Sequence, residues 1–234
     1  MSRRVRTELD ALRSTPTAMR LLALALAVAL FLTVTYVGVR DLDHLPVLDA
    51  ERGVQTAVTG GFVVFFAGLV LGTPGARPDT APERQADLLA RVLALAAFGA
   101  VAGLLTAALT NATVLLLAGF GHGGMPSAGV VARTLATLPL YGALAAAAGA
   151  GIATAVRSRP VALALGALIV FVLDPALSGR SDAVDRLGPS GAAGGLIGIH
   201  TPHGPSFALS LALLAAYTAL ALAAGAATTQ RRDL

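Results

Sequence analysis

The chain of 234 residues has no cysteine and no lysine, and only 13% of its residues are charged. Without cysteine there is no disulfide framework and no thiolate metal site. Without lysine there is no Walker loop, G-x-x-x-x-G-K-[ST], whose lysine reaches the phosphates. The glycine-containing polar stretch at residues 72–91, GTPGARPDTAPERQADLLAR, is therefore excluded as such a loop. A dinucleotide fingerprint is excluded too, because it needs G-x-G-x-x-G after a strand and no strand pattern precedes it. Neither H-E-x-x-H nor a G-x-S-x-G nucleophile elbow occurs. PSGAAGG (189–195) sets a serine beside glycines, but with no organised base near it in sequence it reads as a turn.

Apolar residues are abundant. They make up 56% of the chain, and the mean hydropathy is +0.76. Soluble domains carry about 45–50% apolar and about 25% charged residues. So apolar a chain suits a bilayer, where a spanning helix needs about 20 apolar residues. The expected class is an all-α, polytopic membrane protein. About six spans are expected, near residues 19–39, 54–72, 92–120, 130–156, 160–177 and 206–226.

Arginine supplies all 17 basic side chains and sets the expected orientation. Arg3, Arg4, Arg6, Arg13 and Arg20 precede the first span. Arg77, Arg84 and Arg91 lie between the second and third, Arg157 and Arg159 between the fourth and fifth, and Arg231 and Arg232 after the sixth. With alternating spans these fall on one side. The other side keeps Arg40, Arg52, Arg133, Arg180 and Arg186. The positive-inside rule makes the richer side cytoplasmic, with both termini on it. The net charge of +4 thus reflects topology, and no nucleic-acid partner is expected.

The N-terminal SRRVRT resembles a twin-arginine leader, but the apolar run that follows is long enough to span and more spans come after it, so a retained segment is expected. In residues 1–18, Val5, Leu9 and Leu12 recur at helical spacing between Arg6, Glu8, Asp10 and Arg13. That pattern predicts an amphipathic helix on the cytoplasmic membrane surface, against the simpler reading of a solvated tail with accidental periodicity. Residues 19–226 would form the bundle and 227–234 a cytoplasmic tail.

Small residues mark expected helix contacts: Gly68 and Gly72, Gly99 and Gly103, and Gly142, Gly149 and Gly151 among many alanines. Pro139 should kink the fourth span. In the 72–91 connector, Thr80 can cap a helix, Pro82 suits its first turn and Glu83 its positive end. Arg84 and Asp87 are then helical neighbours. This predicts a short charged helix parallel to the membrane, against the simpler reading of a solvated loop. Within the spans, Asn111 with Thr106, Thr110 and Thr113 either lines a substrate path or pins helices together. Asp174 ends the fifth span near headgroup depth. Arg133 would meet an anionic headgroup or snorkel. His200 and His203, with Asp41, Asp43 and His44 in another outer loop, have no metal-site spacing.

Three segments carry a family likeness. PERQADLLAR (82–91) resembles a cytoplasmic Pro-x-Arg segment followed by a basic residue entering the third span, with Arg84 and Arg91 in those places. RLGPSGAAGG (186–195) resembles a Pro-Ser-Gly-Ala-Ala stretch before the last span, and TTQRRDL (228–234) a common Arg-Arg-Asp ending. Together with the order of spans, the chain resembles the membrane permease subunit of ABC-2 type bacterial ABC transporters over essentially its whole length. It departs where many members carry an acidic residue, an aromatic and a Gly-Thr pair after the second span. GARPDT has no Glu–aromatic pair, and Gly72-Thr73 lies elsewhere.

The resemblance implies an exporter subunit in the bacterial plasma membrane, paired with a second permease subunit and with a separate cytoplasmic ATPase that binds ATP and Mg. No cofactor is expected on this chain. Arg6, Glu8, Arg77, Asp79, Glu83, Arg84 and Asp87 would receive the ATPase movement. Thr106, Thr110, Asn111 and Asp174 would border a path for a hydrophobic or amphipathic substrate. The region 175–205 would form short outer helices, partly re-entrant. A non-transporting membrane anchor or sensor, and an intramembrane enzyme, are the readings it competes with.

Overall fold

A computed structural model describes residues 3–35, 58–73, 81–120, 125–177, 187–198 and 204–230. Arg77, Asp79, all four histidines and residues 231–234 lie outside them, as do Asp41 and Asp43. The described elements are all helical: α1 (Arg3–Ser14), α2 (Pro16–Val34), α3 (Val58–Leu71), α4 (Ala81–Gly119), α5 (Ala128–Val156), α6 (Arg159–Ala167), α7 (Pro189–Ile197) and α8 (Phe207–Gln230). Helix α6 widens into π-helical geometry over Leu168–Leu173 and ends as the α-helical Asp174–Leu177. Four stretches are long and apolar enough to cross a membrane: Pro16–Val34, Gln85–Gly119, Ala128–Val156 and Phe207–Gln230. This is an all-helical membrane protein. Where the second and fifth spans are expected, the apolar helices Gly60–Leu71 and Arg159–Leu173 are shorter. Residues 54–57 of the second lie outside the described residues, and the fifth changes helical geometry before its end.

Helix α1 has the expected stripe: Val5 is buried, Leu9 and Leu12 are half-buried, and Arg3, Arg4, Arg6, Asp10 and Arg13 are exposed. Its apolar face meets protein, since Leu12 joins Leu22, Leu88, Val92 and Leu95 in one cluster. Proline disfavours helical geometry in the residue before it. Thr15, extended at φ −83° and ψ 115°, accordingly separates α1 from α2, whose first residue is Pro16.

The charged connector helix is not a separate element parallel to the membrane. Nothing between Glu83 and Phe98 breaks a helix, so α4 runs unbroken for 39 residues. At about 1.5 Å per residue it is roughly 58 Å long, about twice the hydrocarbon thickness of roughly 30 Å.

Helix α5 packs against α3, α4, α6, α7 and α8. It continues through Pro139 and is bounded by the Ser127 N-cap and a left-handed Arg157 at φ 66°. A Cβ placed on Gly99 would lie 2.2 Å from the Gly142 carbonyl oxygen, and one on Gly103 2.2 Å from that of Leu138. Helices α4 and α5 are thus antiparallel and touch backbone to backbone. Gly68 meets Ala146 and Gly72 meets Ala150, so α3 runs parallel to α5. Thr218 on α8 donates to the Leu144 carbonyl at 3.2 Å while Gly225 approaches Gly151, so α8 is parallel as well. Gly166 meets Leu69 while Phe171 stacks on Phe66, so α6 is antiparallel to α3. In lipid such contacts replace the hydrophobic effect as the source of helix association.

Candidate functional site

The alternation of helices gives the molecule two chemically different ends. One gathers α1, the starts of α2, α4 and α6 and the ends of α3, α5 and α8, and carries every described arginine except Arg133. There Arg4 donates to Asp87 at 3.0 Å, with side chains 50% and 41% exposed. A pair that exposed contributes at most about 1 kcal/mol, but it fixes where α1 lies on α4. Thr73, just past α3, is a shared anchor: its carbonyl accepts from Arg91 at 3.1 Å and its hydroxyl from Arg159 at 3.0 Å. Arg157 donates to the Thr228 carbonyl at 3.1 Å, tying the end of α5 to α8.

Of the candidate coupling residues, Arg6 and Glu83 are exposed, Glu8 and Asp87 half-buried, and Arg84 lies in the same first turns of α4 as Glu83. Arg6, Glu8, Glu83, Arg84 and Asp87 therefore share one end of the molecule.

The candidate path residues separate into two places. Thr106, Thr110 and Asn111 are buried, at 1%, 0% and 4% exposure. Thr106 faces Gly60 of α3, and the Asn111 amide nitrogen donates to the Ala107 carbonyl of its own helix at 2.8 Å. Both threonine hydroxyls and the Asn111 Oδ1 have no hydrogen-bond partner among the described residues. Asp174 belongs elsewhere. It is half-buried where α6 ends, and the Ser190 hydroxyl donates to its Oδ2. That bond ties α6 to the first turn of α7, so Ser190 is helical and not the turn its glycine neighbours suggest.

Between these helices lies a partly open cavity of about 330 Å³. Helix α3 contributes Phe62 and Phe65, and α5 contributes Tyr141, Leu144, Ala145, Ala148 and Ile152. The π-helical turn supplies Ile169 and Val170, α7 supplies Pro189, and α8 supplies Leu214, Tyr217, Thr218 and Ala221. Single π turns within helices recur at functional sites. The Tyr217 hydroxyl donates to the Leu187 carbonyl. Neither Thr106, Thr110, Asn111 nor Asp174 lines the cavity. A usable signal was the scarcity of tyrosine: there are three in the chain, and two line this cavity.

Above the cavity's α7 wall sits Arg133, half-buried at the start of α5. Its Nη2 donates to the Gly195 carbonyl at 3.1 Å and its Nε to that of Leu196 at 3.4 Å, while Phe207 lies under the guanidinium at 5.9 Å. Arg133 is thus held by protein groups at the carboxyl end of α7. Helix α7 ends at Gly198, left-handed at φ 97°, as a glycine C-cap does.

Comparison with protein-family models, curated proteins and solved structures finds no match to this chain.

Proposed function

We propose that the chain is the membrane-spanning permease subunit of an ABC-2 type exporter. In this reading it crosses the bacterial plasma membrane six times with both termini cytoplasmic. It pairs with a second permease subunit and is driven by a separate ATPase subunit that binds ATP and Mg. Its cargo is hydrophobic or amphipathic.

The observation that carries this reading is the junction of α1 and α4. Helix α4 is too long for the bilayer alone, and its charged first turns extend beyond the apolar part. Helix α1 is fastened to those turns by Arg4–Asp87 and by packing of Leu12 near Leu88 and Val92. A push on Glu83 or Arg84 would pass along a continuous helix to Gly99 and Gly103, where α4 touches α5 without intervening side chains. The arginine-rich end also supports a cytoplasmic placement of this junction.

Purification of the tagged chain from its native membrane should bring down an ATPase subunit, and its absence overturns the reading. In the complex, Glu83→Arg with Arg84→Glu should lower transport per ATP hydrolysed by about tenfold, the size of one charge-assisted contact near 1.4 kcal/mol. Membrane insertion should not change. Unaltered coupling would remove these two residues from the junction. Because the chain has no cysteine, a single cysteine at Gln85 should be labelled by an impermeant maleimide only in inverted vesicles.

A further inference from the structure

At the arginine-rich end, two guanidinium groups meet at one residue. Thr73 accepts from Arg91 at its carbonyl, at 3.1 Å, and from Arg159 at its hydroxyl, at 3.0 Å. The arginines belong to α4 and α6, and Thr73 follows α3, so three helices converge there. Arg157, two residues before Arg159, also has a neutral partner, the Thr228 carbonyl at 3.1 Å. Like charges gathered in this way repel one another. Among the described residues neither Arg91 nor Arg159 forms an ion pair, and Asp87, one turn before Arg91, is engaged by Arg4 at 3.0 Å. The segments that follow Thr73 and Gln230 in sequence, 74–80 and 231–234, bring no excess of acid: they hold three arginines against two aspartates. The positive charge at this junction is therefore uncompensated.

A guanidinium carries five N–H donors in a planar fork. The donors that Thr73 leaves free on the two forks match the oxygens of a phosphate, which arginine binds bidentately. The place of the pair points to the source of that phosphate. Helix α3 ends at Leu71, α5 ends at Val156 and α6 starts at Arg159, so the pair lies where apolar helices give way to polar chain. In a helical membrane protein this is the depth of lipid phosphate, and basic pockets between membrane helices bind anionic head groups. From Arg159, α6 leads away with Val161, Leu165 and Leu168 at helical spacing, exposed at 54%, 37% and 44%. A lipid uses both the arginines and this apolar stripe, whereas a soluble anion or an acidic protein surface uses the arginines alone. Without a carboxylate beside the pair to meet an ammonium group, a head with net negative charge is favoured over a zwitterionic one.

We propose that Arg91 and Arg159 bind the phosphate of an anionic phospholipid whose acyl chain lies along Val161, Leu165 and Leu168. The inference stands on these contacts and is independent of the transport reading.

The test uses the purified full chain in neutral detergent, titrated with phosphatidylglycerol or phosphatidylcholine of the same acyl chains and followed by native mass spectrometry. Phosphatidylglycerol should bind at least tenfold more tightly. Arg91→Gln with Arg159→Gln should weaken its binding at least tenfold. Arg13→Gln with Arg20→Gln removes the same charge from two exposed positions at the same end and should change it less than twofold. Glycerol phosphate, a head group without chains, and hexaglutamate should each compete at least a hundredfold less well than phosphatidylglycerol. Equal binding of the two lipids overturns the proposal. So does an equal loss in the two double variants, which would mean diffuse attraction by the whole basic end. Competition by glycerol phosphate or hexaglutamate at the lipid's own concentration would make a soluble anion the ligand and overturns it as well. If Arg91→Gln with Arg159→Gln does not elute normally, Arg159→Gln alone, at an exposed position, carries the comparison, with a loss of at least threefold expected against none for Arg20→Gln.

Discussion

Replacing Gly142 by valine is expected to separate α4 from α5 and to cost more than any other single substitution considered. A Cβ at this position would lie 2.2 Å from the Gly99 carbonyl oxygen, and a Cβ on Gly99 would lie 2.2 Å from that of Gly142. Real Cβ atoms essentially never come within 3.0 Å of another heavy atom. The obstructing atoms are backbone on both sides, so no rotamer change relieves the clash and the helices must move apart. Overpacking costs about 1–3 kcal/mol where side chains can adjust, and occasionally more; here they cannot, so the upper end is the floor. At about 2–4 °C per kcal/mol for a chain of this size, the melting temperature should fall by on the order of 10 °C. Thermal unfolding in detergent, followed by size-exclusion recovery, measures it. The control is Gly119→Ala, at the end of α4, whose added methyl meets nothing within 4 Å; it should leave stability within about 0.5 kcal/mol. Equal melting temperatures for the two variants would remove backbone contact as the basis of the α4–α5 interface.

That clash also shows what a one-dimensional reading of this chain can and cannot reach. The glycines at positions 68, 72, 99, 103 and 142 were readable as contact points because small residues at helical spacing have few other uses in lipid. Which side of a helix they face was not readable. On α5, Gly142, Ala146, Gly149 and Ala150 meet neighbouring helices, whereas Ala145 and Ala148, equally small, border open space. The difference lies in whether the facing element is backbone or is held away by Phe65 and Tyr217, and that depends on residues far along the chain. The limits of the long apolar helices were legible to within a few residues where they lie among the described residues, because apolar length and flanking arginines are local. The exception is the start of α4. Its polar half looked like an independent helix because composition changes at Arg91, yet a helix ends at a breaker and not at a change of polarity, and no breaker is present. Asp174 was legible as a carboxylate ending the fifth span. Its partner was not, because Ser190 in PSGAAGG has a turn-like composition. Proline at the first position of α7 and the absence of any further proline before Ile197 let those residues form a helix once the bundle buries them.

Arg133 shows how burial changes the meaning of a charge. In sequence it is a lone arginine near a membrane edge, where snorkelling is the ordinary behaviour. In the fold it closes the carboxyl end of α7. A helix leaves its last carbonyls without intrahelical donors. In α7 that end is buried, with Ala192 through Ile197 all inaccessible. The Gly198 amide satisfies the Gly194 carbonyl at 2.9 Å, and the guanidinium reaches those of Gly195 and Leu196. A positive charge at a helix carboxyl end is further favoured by the helix dipole. Arg133→Met keeps the apolar stem and removes both donors, so two buried carbonyls lose their partner. Hydrogen bonds to charged groups contribute about 1.5–3 kcal/mol each. A loss of roughly 3 kcal/mol is therefore expected, with α7 loosened more than the rest of the bundle. Arg133→Lys should restore the charge but only part of the effect, since an ammonium lacks the planar fork that serves two carbonyls. The absence of native cysteine allows the local effect to be read separately from global stability. A single cysteine replacing the buried Ala193 should react slowly with maleimide in the parent chain, several-fold faster with Arg133→Lys, and at least tenfold faster with Arg133→Met. A reference cysteine at the buried Ala94, on the far side of the Gly99–Gly142 contact, should keep its rate in all three. Equal acceleration at both positions would mean that Arg133 stabilises the bundle as a whole, and no acceleration at Ala193 would mean that α7 is held by its apolar burial alone.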